Sequence, residues 1–191
     1  MNNTHILETV TTMLSAAAVA ENGAGVIYEG RKTTYRELDD LSRRAAAGLA
    51  SLGIGLGDRV AFWLPNTPAY LVLYFACVRL GAIAVAVNTR FRAGEVEDVL
   101  GRTGAKALIM WPGFRGIDFP GILEEVDRAA LARLEVAILY AEDGKSPSVL
   151  PGVARTVGYE SLFDAGTHEE DASKAKLGCN TFTTSGTTKA P

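Results

Sequence analysis

Residues 58–140 alternate between two kinds of hydrophobic pattern, and this alternation restricts the fold more than any other feature of the chain. "RVAFWL" (59–64), "AIAVAVN" (82–88), "AKALIMW" (105–111) and "LEVAILY" (134–140) are short, nearly unbroken apolar runs. A strand with one wet face alternates apolar and polar residues. A run with no polar phase needs cover on both faces. The segments between these runs read as helices. Pro65-Asn66-Thr67-Pro68 ends the first run and opens a helix to about Leu80, stopped by Gly81, while "GEVEDVLGRTG" (94–104) and residues 118–130 read as two more. Strand and helix in this order predict the α/β class, a parallel-rich sheet flanked by helices.

Before this region, Ile6, Leu7, Val10, Met13, Leu14 and Ala17 fall at helical spacing and predict an amphipathic first helix. The same stretch imitates a secretory signal, but no Lys or Arg precedes Arg31 and Glu8 occupies the place of a positive charge, so a signal peptide is not expected. "GVIYEGRKTTY" predicts a small hairpin turning at Glu29-Gly30. Thr34 followed by Glu37 forms a capping box, opening a helix with apolar Tyr35, Leu38, Leu41, Ala45, Leu49 and Leu52 that stops at Gly53. Residues 141–178 carry no strong pattern, with 163–178 read as a polar connector. Thr181-Phe182-Thr183 reads as a short strand.

At 191 residues, 48% of them hydrophobic, the chain can bury a genuine core. A net charge of −3 gives no general attraction to nucleic acid, so phosphate binding must be local and no nucleic-acid partner is expected. No run is long enough to span a bilayer. The two cysteines cannot form a disulfide framework. Cys77 reads as a small core residue, and reduced thiols point to the cytoplasm. His5 and His168 are isolated and read as non-catalytic.

Two glycine-containing segments could hold phosphate. Gly53-x-Gly55-x-Gly57 follows a helix and precedes a strand, whereas a dinucleotide fingerprint needs the reverse order. It reads as a tight turn, with Asp58 a turn or capping residue. "TTSGTTK" (183–189) has the better chemistry. Gly186 permits close backbone approach to an anion, the hydroxyls of Thr184, Ser185, Thr187 and Thr188 add neutral donors, and Lys189 adds a charge. The spacing is not that of the common P-loop. Arg90 and Arg92, in "NTRFR" (88–92), follow the C-terminal end of a strand, where α/β proteins often place ligand groups, although a solvated loop is the leading reading.

"TSGTTKAP" resembles the phosphate loop of the adenylate-forming superfamily, whose pattern reads roughly Thr-Ser-Gly-Thr-Thr-Gly-x-Pro-Lys. Residues 33–66 resemble that family's first conserved block, and residues 74–109 its second, in the form typical of acyl-CoA synthetases. The three blocks stand in the family's order over most of the chain. Lys189 departs from the pattern by standing where glycine is usual. The family's closing lysine would fall one residue past Pro191.

The resemblance implies an N-terminal subdomain of the adenylate-forming fold, with residues 1–191 a partial AMP-binding domain ending within the phosphate loop. It implies a carboxylic-acid substrate, ATP, Mg²⁺ and CoA. The acid attacks the α-phosphate of ATP, and a thiol then displaces AMP from the acyl-adenylate. Thr184, Ser185, Gly186, Thr187, Thr188 and Lys189 become phosphate ligands, with no catalytic or metal-binding residue assigned. The family's adenine pocket, metal-binding glutamate and catalytic lysine lie further downstream, so the chain reads as the first portion of a longer enzyme. Alone it is expected to be inactive and capable of self-association. The alternatives are a truncated non-catalytic homologue acting through protein contacts and, less favoured, an unrelated α/β nucleotide-binding enzyme.

Overall fold

A computed structural model describes residues 9–20, 23–142, 149–150, 152–169 and 180–181. Its chain runs α1 (Val10–Val19), β1 (Gly25–Tyr28), β2 (Arg31–Thr34), α2 (Tyr35–Ser51), β3 (Arg59–Trp63), α3 (Pro68–Leu80), β4 (Ile83–Ala86), α4 (Ala93–Thr103), β5 (Ala107–Met110), α5 (Phe119–Glu124), β6 (Val136–Leu139), β7 (Arg155–Gly158) and β8 (Asn180–Thr181). β1 and β2 form an antiparallel hairpin. The other six strands form a parallel sheet in the order β7-β6-β5-β3-β4-β8.

The four uninterrupted runs became the four inner strands, and their successive residues divide between two cores. Val60 and Phe62 of β3, Ile109 of β5 and Ile138 of β6 pack with α1, α2 and α3 on one face. Ala61, Trp63, Leu108, Met110 and Leu139 pack with α4 and α5 on the other. Helices α2 and α3 start where the sequence says, whereas α1 starts at Val10, capped by Thr9. Thr34 Oγ1 accepts from the Glu37 amide at 3.2 Å while Glu37 Oε2 accepts from the Thr34 amide at 2.7 Å. Thr67 caps α3 with Pro68 in its first turn, and Gly81 ends it at φ 69°. The Gly53–Gly57 segment is the expected turn, because Asp58 Oδ2 accepts from the Gly55 amide at 2.9 Å and from Lys106 Nζ at 3.1 Å.

Three segments differ from the sequence reading. The helix expected over 118–130 stops at Glu124, because the Asp127 amide donates to Glu97 of α4 and its carboxylate closes a new turn onto Ala129. The patternless 141–178 region contains the edge strand β7 and a 3-10 segment, Tyr159–Asp164. In α1, Met13 faces solvent at 50% exposure and Thr11 is buried instead. Ile6 and Leu7 lie outside the described residues.

The helical layer on the first face contains a charge that the pattern of α3 did not announce. Arg79 sits in an apolar helix with a fully buried side chain. Its guanidinium donates to Asp39 Oδ1 at 2.6 Å and to Ser42 Oγ at 3.1 Å. Asp39 also accepts from Ser15 Oγ at 2.9 Å and Arg43 Nε at 3.0 Å, so one carboxylate ties α1, α2 and α3 together. Burial works to raise the Asp39 pKa, but the hydrogen bonds from Arg43 and Ser15 and the charges of Arg79 and Arg43 outweigh it and hold it below the ordinary value. Nearby, the 3-10 segment crosses α2 at Gly48, where a Cβ would run into the Leu162 backbone. Arg44 Nη2 donates to the Phe163 carbonyl at 3.0 Å and fastens the same crossing.

Candidate functional site

In a parallel α/β sheet, ligands gather outside the carboxyl ends of the strands, where neighbouring connections leave toward opposite faces. Here β3 leads to α3 on one face while β4 and β5 lead to α4 and α5 on the other. The connections therefore diverge around β3, and Asn66 is exposed at the rim there among the described residues.

β8 carries the chain to this edge. Ala84 pairs with Asn180 and Val85 with Thr181, parallel and on the far side of β4 from β3. Asn180 Nδ2 donates to the Tyr74 hydroxyl of α3 at 3.1 Å, a second attachment. Thr184, Ser185, Gly186, Thr187, Thr188 and Lys189 follow in sequence but lie outside the described residues, as do His5 and Cys179. The expected strand over 181–183 is described as Asn180–Thr181.

On the neighbouring strand, β4 runs into residues 88–92. The Asn88 carbonyl accepts from the Phe91 amide at 3.0 Å and from the indole Nε1–H of buried Trp63 at 3.1 Å. The Arg90 amide donates to Asn88 Oδ1 at 2.9 Å. The two arginines separate in role. Arg92 caps α4, its amide donating to Glu95 Oε2 and its guanidinium to the carbonyls of Arg90 and Phe91 at 3.0 and 3.1 Å. Arg90 is exposed, and its guanidinium makes no hydrogen bond or ion pair among the described residues. Sequence reasoning named both arginines and could not separate them. It also missed Trp63, whose only signal was its place at the end of a strand.

Across the edge, the ends of β5, β6 and β7 carry Trp111, Tyr140 and Tyr159. Trp111 meets Tyr140 at 5.3 Å, Tyr140 meets Tyr159 at 5.4 Å and Tyr159 meets Phe163 at 5.0 Å, all edge to face. Burial, helped by the charge of Glu142, pushes the Tyr140 phenol up to about 12, and burial pushes Tyr159 upward too. These half-buried rings pack edge to face on one another in a row along this side of the edge. Cys77 is fully buried, as expected, with its thiol pushed upward by burial.

The AMP-binding enzyme family matches residues 14–191. The chain belongs to that family. Among its relatives is the mitochondrial medium-chain acyl-CoA ligase ACSF2 of Bos taurus. It is 30% identical over 206 residues, covering 96% of this chain and 32% of the relative. A methyl-dioxo-octahydro-indenyl-propanoyl:CoA ligase of Mycobacterium tuberculosis is 41% identical over 122 residues, covering 62% of this chain and 24% of that enzyme. The fold matches the anthranilate CoA ligase AuaEII, solved with anthranoyl-AMP, at a TM-score of 0.77 and 23% identity over 96% of this chain and 33% of that one. The chain thus spans about a sixth to a third of the length of the curated relatives it matches, and corresponds to the N-terminal portion of the adenylate-forming fold. Among the described residues, no helix is long and apolar enough to cross a membrane.

Proposed function

We propose that these residues form the N-terminal part of an AMP-forming acid–CoA ligase, which joins a carboxylate to ATP as an acyl-adenylate and then transfers the acyl group to CoA. The observation that carries this reading is the family match through residues 14–191, together with the seating of β8 beside β4. Residues 184–189 are then the phosphate loop. Gly186 allows backbone amides to approach the β- and γ-phosphates, Thr184, Ser185, Thr187 and Thr188 donate hydroxyls, and Lys189 neutralises departing pyrophosphate. Arg90, exposed at the same edge and without a guanidinium partner among the described residues, offers a cation to an anionic group of CoA.

No three His, Cys, Asp or Glu side chains gather to hold a metal among the described residues. We assign Mg²⁺ no ligand in this part and propose that it rides on the nucleotide phosphates. A cytoplasmic location belongs to the same proposal.

One loop holds phosphates but supplies no adenine pocket, so we propose that the 191 residues alone do not turn over. Acid-dependent exchange of labelled pyrophosphate into ATP tests both parts. A protein containing this chain and the remainder of the adenylate-forming fold is expected to exchange, and Lys189→Ala to slow it about tenfold, the scale of one charge-assisted contact. No exchange with any carboxylic acid tried would refute the ligase reading. Exchange by the 191 residues alone would refute their dependence on the rest.

A further inference from the structure

We infer that Asn88 and Trp63 are positioning residues for the CoA step, acting through Arg90. The inference rests on the ligase reading. A flexible surface arginine binds an anion weakly, because ordering its backbone and side chain offsets much of the electrostatic gain. Arg90 avoids the backbone part of that cost. The turn that carries it is closed at one carbonyl, Asn88 O, which accepts from the Phe91 amide at 3.0 Å and from the Trp63 indole at 3.1 Å. Trp63 cannot drift, since it is wholly buried and meets Phe119 edge to face at 4.6 Å. The Asn88 side chain holds the Arg90 amide from within the turn, and Arg92 braces the Arg90 carbonyl from the other side. The Arg90 backbone is thus held on both its amide and its carbonyl, while its guanidinium makes no hydrogen bond or ion pair among the described residues. The anchor runs from the core beneath β3 to a cation at the carboxyl edge of β4.

Neither Asn88 nor Trp63 needs to touch ligand in this scheme. Their effect on CoA must pass through Arg90, and this separates positioning from a general loss of structure. Asn88 is exposed, so its replacement leaves the core intact. Calorimetric titration of CoA into a protein containing this chain and the remainder of the adenylate-forming fold is the test. Arg90→Gln is expected to weaken CoA about tenfold, Asn88→Ala about three- to tenfold, and the double variant no more than Arg90→Gln alone. Asn88→Ser keeps a neutral, weaker acceptor for the Arg90 amide and is expected to restore part of the affinity. Trp63→Phe, which keeps an aromatic ring and removes the N–H, should reproduce Asn88→Ala.

If Arg90→Gln weakens CoA while Asn88→Ala leaves it unchanged, the positioning role is overturned and the ligase reading stands. Losses that add in the double variant overturn it as well, because Asn88 would then act independently of Arg90. Unchanged affinity in Arg90→Gln removes both the Arg90 assignment and this inference. A wild-type protein that exchanges pyrophosphate but binds no CoA confines the failure to the second half-reaction and removes the inference with it.

Discussion

Replacing Asp39 by Asn removes one negative charge from the centre of the helical layer and leaves the shape almost unchanged. The consequence falls on Arg79, which has no exposed side-chain surface and donates to Asp39 at 2.6 Å. Asn can still accept from one arginine, but it turns an NH₂ group toward the other. Removing one partner of a buried pair costs about 3–5 kcal/mol, since the remaining charge stays desolvated. Asp39 retains 15% of its side-chain exposure, so some water reaches the site and the lower end applies, about 3 kcal/mol. That is a large part of the roughly 5–15 kcal/mol that holds a typical domain folded. With a urea m-value of about 2 kcal/mol/M, the midpoint should fall by about 1.5 M.

Arg79→Met should cost less than Asp39→Asn, because Asp39 would keep Ser15 and the partly exposed Arg43. The pH dependence carries a fixed sign. The folded-state pKa of Asp39 lies below its unfolded value, so its contribution is complete above the unfolded pKa, near 4, and is lost as pH falls through the folded value. Asp39→Asn should therefore flatten the acid limb of the stability curve. A loss under about 1 kcal/mol, or a larger loss in Arg79→Met than in Asp39→Asn, would show that the pair is not a desolvated unit.

Gly48→Ala should destabilise by about 1–3 kcal/mol in a thermal or urea melt, because the new methyl meets the Leu162 backbone. A stabilisation, as helix propensity alone predicts, would mean that the 3-10 crossing is loose. Tyr140 should stay protonated well past pH 10, followed by phenolate absorbance against Tyr140→Phe. Its folded pKa is raised to about 12, so its contribution is complete below the unfolded pKa near 10 and is lost as pH rises from there to about 12.

The sheet was legible wherever one residue type dominated an entire element. β3, β4, β5 and β6 announced themselves because burial on both faces leaves no polar phase in the sequence. The starts of α2 and α3 were legible because their caps are local, with Thr34 and Thr67 bonding only three residues ahead. What escaped depends on distant partners. β7 reads "RTVG", an edge strand with exposed ends, and it is a strand only because β6 lies beside it. α5 ends early because Glu97, on another helix, captures the Asp127 amide. Arg79 is the one charge in the apolar sequence of α3, and its partner Asp39 lies 40 residues earlier. At the candidate site, the sequence identified the arginines after β4, while the division of labour between Arg90 and Arg92 follows from side-chain geometry that no spacing rule contains. The residues assigned to the phosphate loop rest on the motif and the family match, supported by the placement of β8.

The pairing of β8 with β4 also sets the order in which the molecule can assemble. Ala84 and Asn180 meet across roughly a hundred residues of intervening chain, and closing a loop of that length costs on the order of 4 kcal/mol in chain entropy. Against this, among the described residues, stand two ladder residues and the bond from Asn180 to Tyr74. The inner strands close far shorter loops, so β8 should be the last to join and the first to open in native-state hydrogen exchange. A nucleotide gripped just beyond this strand would then stabilise its pairing, and the strength of that grip would be readable as slowed exchange at Thr181. Under the ligase reading, the end of the sheet nearest the phosphates is the part whose folding is completed by the substrate.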